Sequence, residues 1–199
     1  MIMSIYKNEE IPCIAITNRK LVEGEYLEQI KKVAKQHPES IVLREKDLPA
    51  KEYEELAKQV IKIGIEYDIP IFLHSYIDVA KKLGATNVHL PFSVFQNMTN
   101  GEKDIFLQIG VSIHSVEEAK EAQKLGASRL IAGHIFETSC KPGLPPRGLF
   151  FLRNVCKNIT IPVYAIGGIT DENAKECIMN GAKGVCMMSG YMKNIYPST

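Results

Sequence analysis

Short apolar runs alternate with amphipathic stretches along nearly the whole chain. The runs Cys13–Thr17, Ile41–Arg44, Ile71–His74, Val88–Leu90, Leu107–Ile113, Leu130–Phe136, Val163–Ile166 and Val185–Met188 read as eight strands. Runs such as Val185–Met188 are apolar at successive positions, the pattern of a strand covered on both faces, as parallel strands are. Between the runs, apolar residues recur at helical spacing in Tyr26–Gln36, Ala50–Tyr67, Ile77–Leu83, Val116–Leu125, Leu149–Lys157 and Glu172–Met179. The connection Ser93–Asp104 is the weakest helix, since Asn97, Asn100 and Gly101 interrupt it. After Gly190 too little sequence follows for a full last helix.

Alternating β and α units imply a parallel sheet. A weak repeat supports that reading: Gly84-Ala85, Gly126-Ala127 and Gly181-Ala182 each follow a helix and precede a strand. At those steps glycine suits the left-handed residue that closes a helix. A doubly wound, flavodoxin-like sheet is the alternative, but eight units favour closure. The pattern therefore predicts one α/β domain over residues 1–199, a compact (β/α)8 TIM barrel with a short or missing final helix.

Composition narrows the class. At 199 residues and 45% hydrophobic the chain supports one sizeable core. A net charge of +1 gives no global field toward nucleic acid or membrane, and no apolar stretch approaches a bilayer span. The N-terminus lacks a signal-peptide layout. Five widely spaced cysteines without a CxxC pair argue against disulfides or zinc, and for a reduced cytoplasm.

In such a barrel the chemistry lies just past the C-terminal strand ends. The seventh run leads into Gly167-Gly168 and the eighth into Ser189-Gly190, whose backbone N–H groups can meet a phosphate. The sixth carries His134 near its end, with Thr138, Ser139 and Lys141 beyond it; a neutral imidazole there is a proton acceptor near pH 7. His114 ends the fifth, followed by Ser115 and Glu118 as cap and capping box of the next helix. Arg44 ends the second, placed either to clamp an anion or to pair with Glu45. There is no HExxH, P-loop or dinucleotide motif, and no strand end carries the carboxylate cluster that holds Mg²⁺.

The segments Val42–Lys46, Gly110–Ser115, Ala165–Ile169 and Gly181–Val185 resemble the thiamin phosphate synthase superfamily, over nearly the whole chain. Gly133–Lys141 is similar to its TenI branch, the thiazole tautomerases, where synthases have Pro-Thr-x-Thr-Lys. Synthases carry an Asn-Asp pair after strand three and Gly-Gln-x-Asp after strand four. Here His74-Ser75 and Pro91-Phe92-Ser93-Val94 stand instead, so the family's Mg²⁺ ligands are missing. The resemblance implies an isomerase: a thiazole tautomerase of thiamin biosynthesis, with His134 as acid/base and neither metal nor cofactor. It also implies a small phosphorylated thiazole substrate on Gly167, Gly168, Ser189 and Gly190. Arg44, His114, Thr138 and Lys141 would then contact the substrate, and a homodimer is compatible. The alternatives are a thiamin phosphate synthase, joining hydroxymethylpyrimidine pyrophosphate to thiazole phosphate, and a non-catalytic regulator on the same barrel.

Overall fold

A computed structural model describes residues 11–138 and 143–193. Eight parallel strands form a closed barrel in chain order: β1 (Cys13–Ile16), β2 (Ser40–Leu43), β3 (Ile71–His74), β4 (Asn87–Pro91), β5 (Gln108–Ile113), β6 (Arg129–Gly133), β7 (Val163–Ile166) and β8 (Gly184–Met187). Cys13 pairs with Val185, so the last strand closes on the first. The outer layer holds α1 (Tyr26–Ala34), α2 (Ala50–Glu66), α3 (Ile77–Leu83), α6 (Val116–Lys124), α7 (Gly148–Asn158) and α8 (Ala174–Met179). The interrupted connection after β4 resolves into two four-residue helices, α4 (Phe92–Phe95) and α5 (Asn100–Lys103). The stunted last helix is α9 (Ser189–Met192).

Two apolar layers follow from the strands being covered on both faces. Ile41, Leu43, Leu73, Leu90, Val111, Ile113 and Leu130 turn outward to meet Ile30, Val33, Tyr53, Val60 and Leu152 of the helices. Ile14, Ile16, Val42, Phe72, Ile131, Tyr164 and Cys186 fill the barrel interior. Burying a large aliphatic side chain stabilises by about 1.5–3 kcal/mol, so this double layer supplies most of the driving force. Gly84, Gly126 and Gly181 all take positive φ at helix exits, as the repeat predicts.

One strand stops well short of the end of its apolar run. β6 ends at Gly133, not Phe136. Ile135 is buried all the same, with its N–H bonded to the Ile166 carbonyl. The run stays apolar because the chain dives under a loop, not because it continues as strand. His134 is thus the first residue past the strand rather than a member of it.

Candidate functional site

A cavity of about 290 Å³ opens at the C-terminal ends of the strands. Its wall contains Arg44, Lys46, His74, His89, Ser112, His114, Gly133, His134, Thr138, Gly167, Gly168, Ser189 and Gly190. The structure thus gathers all but one of the expected site residues around one pocket. Lys141 lies outside the described residues.

The β2 end shows why Arg44 is available. Residues 44, 45 and 46 alternate, and Glu45 turns away from the pocket into a buried network. Its carboxylate accepts from Thr17 Oγ1 at 2.7 Å, from the Arg19 backbone N–H at 3.0 Å and from Tyr26 OH at 3.2 Å. Arg19 Nη1 lies 3.3 Å from it. Arg44 therefore does not form the ion pair with Glu45 that its sequence position allowed. Arg44 and Lys46 both line the pocket, and the Arg44 backbone N–H is fixed by Thr17 Oγ1 at 2.9 Å.

At the end of β7, Gly167 and Gly168 serve two purposes. Their φ values of +103° and +64° lie in the region that favours glycine, and β7 thereby turns sharply. A Cβ on Gly167 would come within 2.3 Å of His134 Cβ, and one on Gly168 within 2.2 Å of the Glu137 carbonyl oxygen. The bare backbone is needed for the loop after β6 to lie across it, and it also remains at the cavity surface beside Ser189 and Gly190.

His134 is buried, and its Nε2 lies 3.2 Å from the Leu144 carbonyl. A carbonyl only accepts, so in the neutral ring Nε2 carries the proton and Nδ1 is the acceptor. The Arg147 guanidinium Nε donates to the Gly133 carbonyl at 3.1 Å, which ties the returning loop to the strand end. At β5, Ser115 caps α6 by accepting from the Glu118 N–H. The reciprocal half of the expected capping box goes elsewhere: the Glu118 carboxylate accepts from the His114 N–H at 2.6 Å and lies 3.6 Å from its Nδ1.

Four polar lining groups escaped selection from sequence: Lys46, His74, His89 and Ser112. Alternation from Arg44 points to Lys46, and the pairing of His74 with His89 across β3 and β4 brings the two rings to 5.7 Å. Burial, then the positive charges of Lys46 and Arg44, hold His74 well down, at about 3. Burial likewise pushes His89 well below its ordinary value. Both rings are neutral at pH 7.

Among the described residues no Asp or Glu lines this cavity. Among the described residues no cluster of three His, Cys, Asp or Glu side chains could hold a metal ion. The Mg²⁺ that the synthase resemblance implies does not fit this wall, because the donors facing the pocket are cations, neutral imidazoles and hydroxyls.

A closed parallel barrel with a cationic, glycine-edged pocket at its C-terminal face defines a class: (β/α)8 proteins built to hold a small anionic ligand. Comparison with known proteins makes this specific. A family model described as thiamine monophosphate synthase matches residues 13–191. The chain belongs to that family. It is 33% identical over 192 residues to the thiamine-phosphate synthase of Clostridium acetobutylicum, covering 94% of this chain and 89% of that one. It is 33% identical over 189 residues to the thiamine-phosphate synthase of Pyrococcus horikoshii, covering 92% and 88%. Among solved structures, thiamine phosphate pyrophosphorylase from Pyrococcus furiosus superposes with a TM-score of 0.79 at 33% identity, over 92% of this chain and 88% of that one.

These relatives correct the expectation drawn from Gly133–Lys141. Proteins similar along almost the full chain are named synthases, which are transferases, so the thiazole tautomerase and isomerase readings are set aside. Thiamin biosynthesis and phosphorylated small substrates stand as properties of the family. No helix among the described residues is long and apolar enough to cross a membrane.

Proposed function

We propose that this chain is a transferase of the thiamin phosphate synthase type, joining hydroxymethylpyrimidine pyrophosphate to thiazole phosphate. What supports the reading is similarity to synthases over nearly the whole chain, together with one cavity lined by Arg44 and Lys46 and by the bare backbone at Gly167, Gly168, Ser189 and Gly190. Gly167, Gly168, Ser189 and Gly190 take the thiazole phosphate on backbone N–H groups. Arg44 and Lys46 take the diphosphate across the cavity. Between them, a bond forms from the thiazole ring nitrogen to the pyrimidine methylene carbon as the carbon–oxygen bond to diphosphate breaks. Both electrons of that bond leave with diphosphate, and the cationic wall meets the growing charge. Holding two bulky ions in line is the larger part of what the protein supplies.

His134 changes role under this reading. Joining the two rings needs no proton shuttle at that position, so His134 and Thr138 act as pocket wall, and His114 borders the rim beside Glu118. No step is routed through a metal, since the donor set does not fit one.

The test is turnover. Purified protein with both substrates should form thiamin phosphate, identified by mass. Absence of product with both substrates bound would reject the transferase.

A further inference from the structure

The interior of the barrel carries a charge that the pocket chemistry leaves unexplained. Arg129 opens β6, is 5% exposed and forms no ion pair with a carboxylate among the described residues. Its Nη1 donates to Ser40 Oγ at 2.9 Å and its guanidinium carbon sits 3.5 Å from the centre of the Phe72 ring. Its Nε and Nη2 are buried without a hydrogen-bond partner among the described residues, and so is His89 Nδ1. Those atoms share one place. His89, Gly110 and Arg129 are neighbours in register across β4, β5 and β6. A Cβ on Gly110 would lie 2.5 Å from His89 Nδ1 and 3.2 Å from Arg129 Nε. The missing side chain is what lets the imidazole and the guanidinium approach over the same residue.

We infer that Arg129 is a positioning residue that sets the tautomer of His89 and, through it, turns Ser112 into a dedicated donor to the bound phosphate group. A guanidinium has donors and no acceptor, so a proton on the facing Nδ1 would set donor against donor in a buried site. The neutral ring therefore keeps a lone pair on Nδ1 and carries its proton on Nε2. Nε2 lies 2.7 Å from Ser112 Oγ. The serine oxygen accepts that proton, and its own O–H is left to point into the cavity that Ser112 lines. With the other tautomer, Ser112 would spend its hydrogen on His89 and face the ligand with lone pairs, which repel phosphate oxygens. This rests on the proposal that the cavity takes phosphorylated substrates, and it adds a residue at the far end of the barrel to what presents a donor at Ser112.

The decisive experiment is long-range ¹H–¹⁵N correlation of the imidazoles in the full chain, with calorimetric titration of inorganic pyrophosphate. Wild type should show His89 protonated at Nε2 and bare at Nδ1. Arg129→Lys should keep that signature and most affinity. Arg129→Met should populate the Nδ1-protonated ring and weaken pyrophosphate binding by about tenfold, the lower worth of a hydrogen bond to a charged group. Ser112→Ala should lose the same factor, with no further loss in the double variant. A wild-type His89 carrying its proton on Nδ1 would overturn the inference, as would an unchanged tautomer in Arg129→Met. If that variant does not fold, the wild-type spectrum and Arg129→Lys decide. Wild-type protein that shows the Nε2 tautomer but binds no pyrophosphate would leave the tautomer in place and reject the phosphate-substrate reading.

Discussion

Replacing Arg44 with glutamine removes one positive charge from the pocket wall and leaves the frame around it standing. The backbone N–H of residue 44 still reaches Thr17 Oγ1, and Glu45 keeps its acceptor role toward Thr17, Arg19 and Tyr26. Stability should therefore change by less than about 0.5 kcal/mol, the usual range for a substitution away from core and buried networks. Binding is different. A charge-assisted hydrogen bond contributes about 1.5–3 kcal/mol, which corresponds to about 10- to 150-fold in Kd. Arg44 is half-buried and Lys46 remains beside it, so the lower end applies. The assay is calorimetric titration with inorganic pyrophosphate at two salt concentrations, alongside thermal melts. Arg44→Gln should bind about tenfold more weakly and with a shallower salt dependence, at unchanged Tm. Affinity within twofold of wild type would refute the placement of diphosphate at this wall.

Three further outcomes follow from the same geometry. Gly168→Ala should lose about 1–3 kcal/mol of stability from its positive φ, plus a further loss from the collision with the Glu137 carbonyl. Gly126→Ala, strained but with open space around its Cβ, is the control in chemical denaturation, and equal losses in the two would remove the collision. Glu45→Gln should lower Tm by several degrees, since it turns an acceptor for Thr17, Arg19 and Tyr26 into a partial donor at a cost of about 1–3 kcal/mol. His74 is held down to about 3 when folded and titrates near 6.5 when unfolded. Below about pH 6.5 the unfolded chain takes up a proton that the folded chain refuses, so stability is whole above that pH and falls toward pH 3. The slope is up to about 1.4 kcal/mol per pH unit, and urea titrations of His74→Gln should show it flattened.

The barrel was legible because burial on both faces writes itself into runs such as Val163–Ile166, which the structure reproduces without change. The β6 boundary was not, since Ile135 is as buried in its loop as it would be in a strand, and hydrophobicity alone does not separate the two. Gly167-Gly168 was legible as a bare backbone at a strand end. That the loop after β6 also requires it depends on a contact between segments thirty residues apart, which no local pattern carries. Arg44 was found for its position, but Lys46, His74 and His89 became pocket residues through strand register. The tautomerase assignment leaned on one loop segment, Gly133–Lys141, part of which lies outside the described residues, and on the missing Mg²⁺ ligands after strands three and four, whereas similarity to synthases extends along nearly the whole chain.

Transfer between two phosphorylated ligands in this cavity is tested most directly by ³¹P NMR of the wild-type protein with hydroxymethylpyrimidine pyrophosphate and thiazole phosphate. The spectrum should show free pyrophosphate appearing in a one-to-one ratio with thiamin phosphate, and only when thiazole phosphate is present. Unchanged substrate resonances with both ligands at saturating concentration, or pyrophosphate release that does not depend on the thiazole, would contradict it.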